Sequence, residues 1–159
     1  MSKYNLIIFL FFFISCSNNS IKKEEEIKII KKEEIKTPFE KSMIEGEKIY
    51  TNVCKICHQQ NGQGVKGIYP PFAQADYLME DVNRGIRQAL FGSNGNLEMT
   101  VNGIKYNGIM LAYGETMNDS SMSFVLTYIT NSWGNNHGII KPEEILKIRK
   151  EGRKEKDNF

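Results

Sequence analysis

Cysteine and histidine are scarce in this 159-residue chain, with three of the first and two of the second. Net charge is nearly absent too, at +2. That leaves no basic stripe for a phosphate backbone, so nucleic acid is not expected as a partner. The leading apolar run, Leu6 to Ile14, falls well short of the roughly 20 residues that cross a bilayer. An odd cysteine count in an exported protein normally leaves one thiol unexplained. Here Cys16, Cys54 and Cys57 can each be given a chemical task, and no disulfide is needed.

The first segment reads as an export signal covering residues 1–15. Lys3 supplies the positive start, and nine apolar residues follow from Leu6 to Ile14. The run stops at Ile14-Ser15-Cys16-Ser17, which resembles a bacterial lipoprotein cleavage site with Cys16 as the lipid acceptor. An ordinary signal peptide with an incidental cysteine is the alternative. Each buried CH₂ of an acyl chain contributes about 0.8 kcal/mol, so several chains on Cys16 would anchor the protein stably. Residues 16–37 are then a charged tether, dominated by IKKEEEIKIIKKEEIK. Glu–Lys pairs three and four apart suit a solvated helix, and the same composition suits a disordered spacer. Pro38 marks the start of the folded part.

Cys54-Lys55-Ile56-Cys57-His58 carries the chemistry. Two thiols separated by two residues reach the two vinyl groups of one porphyrin, and the adjacent histidine is held beneath the iron. A thioredoxin-like reading would need a strand before Cys54, whereas FEKSMIEGEKIYTNV has helical spacing. A zinc site would need two more ligands, and the other histidine, His137, lies far along in a Gly/Asn-rich loop read as surface. One covalently attached haem c is therefore the expected cofactor.

On these residues the chain resembles the class I cytochrome c family, from about Phe39 to Trp133. Gly46 and Tyr50 repeat the glycine-x-x-x-aromatic pattern that precedes the haem motif in that family. The resemblance implies an all-α fold around one haem, with the N-terminal and C-terminal helices crossing at Gly46. It places a domain at 38–133 and leaves 134–159 as a C-terminal loop, short helix and charged tail. Ile68-Tyr69-Pro70-Pro71-Phe72-Ala73 resembles the family's proline loop, which implies that the Pro70 carbonyl accepts the Nδ1–H of His58 and so orients the ligand. Residues 84–92 read as a short amphipathic helix ended by Gly92, with Ile86, Ala89 and Leu90 inward. Arg84 and Arg87 are read as solvated surface arginines, with a haem propionate as the alternative partner. Asn118 to Ser132 reads as the last family helix, with Tyr128 facing Gly46. Trp133 packs over its end or lies near a propionate.

The sixth iron ligand has four candidates: Met99, Met110, Met117 and Met122. Tyr106-Asn107-Gly108-Ile109-Met110 resembles the family segment that ends in the axial methionine, which implies Met110. Met122 fits the core face of the last helix, and Met117 sits just before the Asn118 cap. One departure stands out: the family places proline after this methionine, and here Leu111 follows. Proline would stiffen the loop by fixing φ.

The resemblance implies a single-electron carrier that is not an enzyme. It would work on the periplasmic side, membrane-anchored through Cys16, and exchange electrons with redox partner proteins. Two alternatives remain open. One is a haem enzyme or gas sensor with a labile sixth ligand; the other is a permanent relay subunit of an oxidase or reductase complex.

Overall fold

The computed structural model describes residues 37–93 and 99–153. The export signal, Cys16, the tether up to residue 36 and the last six residues lie outside them.

Helix α1, Pro38–Ile49, starts where the sequence places a stop to extended chain. Pro38 occupies the first turn, where its missing N–H costs nothing. Thr37 and Glu40 cap it reciprocally: Glu40 N–H donates to Thr37 Oγ1 at 3.2 Å, and Thr37 N–H donates to the Glu40 carboxylate at 2.8 Å. The helix then widens into one π-helical stretch, Tyr50–Cys54, before tightening into the short α2, Lys55–His58. Wide turns of this kind are frequent at functional sites. This one leads directly into the haem motif.

A glycine-rich loop leads to α3, Asp76–Glu80, and α4, Val82–Phe91, the latter capped by Asp81 and ended by Gly92. Next comes a hairpin of β1, Met99–Val101, and β2, Ile104–Tyr106, paired antiparallel with Met99 opposite Tyr106. Its turn residues Asn102 and Gly103 both take positive φ, at 51° and 75°. Asn-Gly between alternating apolar residues is a hairpin signal, and the all-α expectation did not include this hairpin. The hairpin tip is tied to α3 by two reciprocal bonds between Asn102 and Asp76, at 3.0 and 2.7 Å. Helix α5, Asp119–Thr130, is capped by Asn118, and α6, Pro142–Glu151, follows it. Among the described residues the architecture is mostly helical, and no helix is long and apolar enough to cross a membrane.

Helices α1 and α5 pack tightly together. A Cβ at Gly46 would sit 2.6 Å from Tyr128 Cβ and closer still to the Phe124 carbonyl oxygen. The glycine is therefore there for close backbone approach, despite costing about 1 kcal/mol of helix propensity. Tyr50, Tyr128 and Trp133 close the seam, with Tyr50 and Trp133 ring centroids 4.9 Å apart. Trp133 packs over the helix end.

Packing continues past Trp133. Ile140, Ile145 and Ile148 are buried. Ser123 Oγ donates to the Ile140 carbonyl at 2.6 Å, while the Ile140 N–H donates to Thr127 Oγ1 at 3.0 Å. The C-terminal helix is thus part of the same core, beyond the boundary drawn at 133. Arg87 corrects another expectation. It is 9% exposed, paired with Glu151, and donates to the Gly152 carbonyl at 3.2 Å. Burial made its charge costly, and a carboxylate on the C-terminal helix offsets that cost. Arg84 stays at the surface beside Glu80, its guanidinium 4.8 Å over the Tyr77 ring. His137 is exposed, and its backbone N–H donates to the Thr130 carbonyl and to Asn131 Oδ1.

Candidate functional site

One apolar cleft runs between α2, α4, α5 and the segment after the hairpin, with about 1210 Å³ of empty space that includes open solvent. Cys54, Cys57, His58, Pro70 and Met110 all line it. The five residues named from sequence for the cofactor therefore meet in one place, although Met110 is 52 residues from His58 in the chain.

His58 is buried, 7% exposed. Its Nδ1 lies 2.9 Å from the Pro70 carbonyl oxygen. A carbonyl only accepts, so Nδ1 carries the proton and Nε2 keeps its lone pair. The Phe72 ring stacks on the imidazole at 3.9 Å between centroids, 20° from parallel. Burial lowers the His58 pKa to about 4 against a smaller opposing effect of the Pro70 bond. The imidazole is therefore neutral at pH 7, the form that binds a metal.

The loop that delivers Pro70 depends on Gly64. Its φ is +63°, and a Cβ there would lie 2.6 Å from the Pro70 oxygen. The N–H groups of Phe72 and Ala73 both donate to the Gly62 carbonyl, at 2.7 and 3.0 Å. Asn135 ties the loop to the end of α5, donating to the Phe72 and Ile129 carbonyls at 2.8 and 3.0 Å. Neither Phe72 nor Asn135 carried a functional signal in the sequence; both act through the position of His58.

Cys54 and Cys57 are half-buried beside the histidine. Burial, followed by the neighbouring Cys57, pushes the Cys54 thiol up to about 12. Redox-active C-x-x-C thiols have the opposite character, with the pKa pulled down. Among the described residues no group of three or more His, Cys, Asp or Glu is placed to hold a metal ion.

All four candidate methionines line the cleft. Met99 belongs to β1 and Met122 to α5; both are buried. Met117 is half-buried before the α5 cap. Met110 lies on irregular backbone, pinned to Ser93 by a two-way bridge. The Ser93 N–H donates to the Met110 carbonyl at 2.8 Å, and the Met110 N–H reaches Ser93 Oγ at 3.0 Å. Ser93 was missed in the sequence, where it is one polar residue in a Gly/Asn-rich stretch.

These observations together fit a porphyrin: an apolar slot, two thiols placed for covalent attachment, a neutral imidazole with Nε2 free, and a soft thioether available. Cys54, Cys57 and His58 would hold the group, with Met110 as the remaining ligand.

Comparison with known proteins agrees. Residues 43–133 match the cytochrome c family model. The chain is 39% identical over 114 residues to cytochrome c-552 of Thermus thermophilus, covering 66% of this chain and 84% of that protein. It is 26% identical over 108 residues to the cytochrome c subunit of a quinone alcohol dehydrogenase from Gluconobacter oxydans, covering 67% of this chain and 22% of that subunit.

Proposed function

The chain belongs to the cytochrome c family and is an electron-transfer protein with covalently bound haem c; from that premise we propose a membrane-tethered single-electron carrier, outside the cytoplasmic membrane, with His58 and Met110 as axial ligands. The observation that carries this reading is the convergence of Cys54, Cys57, a neutral His58 and Met110 on one apolar cleft.

Haem bound there supplies an iron that gains and loses one electron at a time. The protein's residues set the terms. Pro70 holds the His58 tautomer and ring, which tunes the basicity of Nε2. A Met110 thioether favours the reduced state and raises the potential. With His58 and Met110 both holding the iron, a substrate would find no open position there, which supports a carrier over an enzyme. Ile56, Ile109 and Leu111 stand exposed close to the attachment motif and Met110, and Lys55 and Lys66 add charge nearby. Small, transient interfaces are typical of electron-transfer encounters, and this rim is read as one.

The tether and its location rest on sequence. They are supported by the Leu6–Ile14 run ending at Cys16 and by the charged stretch that follows. A second reading, a permanent relay subunit of a larger membrane complex, is favoured by the similarity to the alcohol dehydrogenase subunit.

A redox-titrated spectrum of protein matured in a haem-attaching host tests the core reading. The expected result is one haem that acid-acetone does not extract, with the far-red ferric band of methionine ligation and no carbon monoxide binding. Colour that washes out, or ready carbon monoxide binding, rejects it. Detergent extraction followed by sizing separates a free lipoprotein from a complex, and Cys16→Ala is expected to release the protein from membranes.

A further inference from the structure

The family match ends at Trp133, yet the chain beyond it reaches back to the methionine side of the cleft. Arg149 on α6 makes the connection. Its Nε donates to Asp119 Oδ1 at 2.8 Å, its Nη2 to the Met117 carbonyl at 3.0 Å, and its Nη1 to the Gly114 carbonyl. Two of these acceptors are backbone oxygens of the segment joining Met110 to α5. A guanidinium is a planar fork of donors, so one side chain fixes three points at once. It is 28% exposed, and the burial of Ile145 and Ile148 on the same helix holds it in place.

That segment is held at Met110 by Ser93 and within its own turn by the Thr116 and Met117 N–H groups, which donate to the Tyr113 carbonyl at 3.2 and 2.9 Å, but it lacks the family's proline. Leu111 stands where proline would fix φ, and Leu111 and Ile109 are 67% and 63% exposed. The backbone is pinned to α4 at Tyr113 and Gly114, whose N–H groups donate to the Ala89 and Leu90 carbonyls at 2.9 and 3.0 Å. From there to the α5 cap, the carbonyls of Gly114 and Met117 are taken by Arg149.

We propose that Arg149 is a positioning residue for the sixth iron ligand, clamping the Gly114–Met117 turn so that Met110 stays on the iron. The clamp does for this chain what a proline after the methionine would do, through a helix outside the family-matched region. It rests on the reading of Met110 as ligand.

The test uses the haem-loaded full chain and imidazole as the competing ligand for ferric iron, at fixed pH and salt. Arg149→Met keeps the apolar stem and removes the donors. Its apparent imidazole affinity is expected to rise about tenfold, the scale of one charge-assisted hydrogen bond, and its midpoint potential to fall. Arg149→Lys is expected to lie between it and the native protein. Thr130→Ala removes a buried side chain at the far end of α5; it should lower the unfolding midpoint and leave imidazole affinity unchanged. Unchanged affinity in Arg149→Met overturns the clamp, as does an equal rise in Thr130→Ala. If Arg149→Met does not fold, unchanged affinity in Arg149→Lys overturns it. A far-red band present in the native protein and lost in Met110→Ala, with the Arg149 variants inert, sinks the clamp alone. A native protein without that band sinks the Met110 reading and the clamp together.

Discussion

The histidine side and the methionine side of the cleft are built differently. On the histidine side, the thiols, the imidazole and the carbonyl that orients it all lie between Cys54 and Pro70. A turn forced by Gly64 and a loop folded onto Gly62 bring them together. On the methionine side, Met110 is held by Ser93, its downstream loop by the end of α4, and the next turn by Arg149. Those partners are 17 to more than 30 residues apart in the chain. The first side closes short loops and loses little entropy in doing so; the second must close long ones. The lesson is that the permanent bonds sit where the chain is locally determined. The exchangeable ligand sits where tertiary contacts can adjust it.

The largest effect tests the local side. Replacing both Cys54 and Cys57 by Ala is expected to abolish covalent attachment, so that acid-acetone extracts all the colour. Retained colour in the protein fraction would break the contrast, because attachment would then lie elsewhere. Gly64→Ala probes the same side more gently. An L-residue at φ +63° costs about 1–2 kcal/mol, and the new Cβ presses on the Pro70 oxygen. Unfolding by denaturant should show a loss of about 2 kcal/mol or more, and a weakened His58–Pro70 bond should shift the midpoint potential. Ser93→Ala is the smallest change. It removes one hydroxyl bond to Met110 while the backbone bridge remains. A loss of about 1 kcal/mol in denaturant titration is expected, with the far-red band retained. Complete loss of that band would mean that the methionine side hangs on one contact and not on several.

Legibility follows the same division. The haem motif and the capped α1 and α5 could be read from short windows, because each depends on neighbours in the chain, whereas the Pro70 role and Gly46 opposite Tyr128 came through the family resemblance. Asn102-Gly103 was equally legible, but the all-α expectation left the hairpin out. Arg87 was misread because a surface arginine and a buried one look alike until the carboxylate that pairs with it is placed. Met110 could be named only through resemblance, since four methionines line the same cleft.

By itself, the amino-acid sequence determined the attachment chemistry and the helices that frame it, and the resemblance it carries pointed to the tautomer-setting loop. Those rest on spacing, φ preference and capping within a few residues. Only the tertiary structure decided that the chain beyond Trp133 joins the core, that Arg87 is buried, and that Arg149 grips the loop below the methionine. Each of these needs a partner from a distant segment, and which partner arrives depends on how the helices pack.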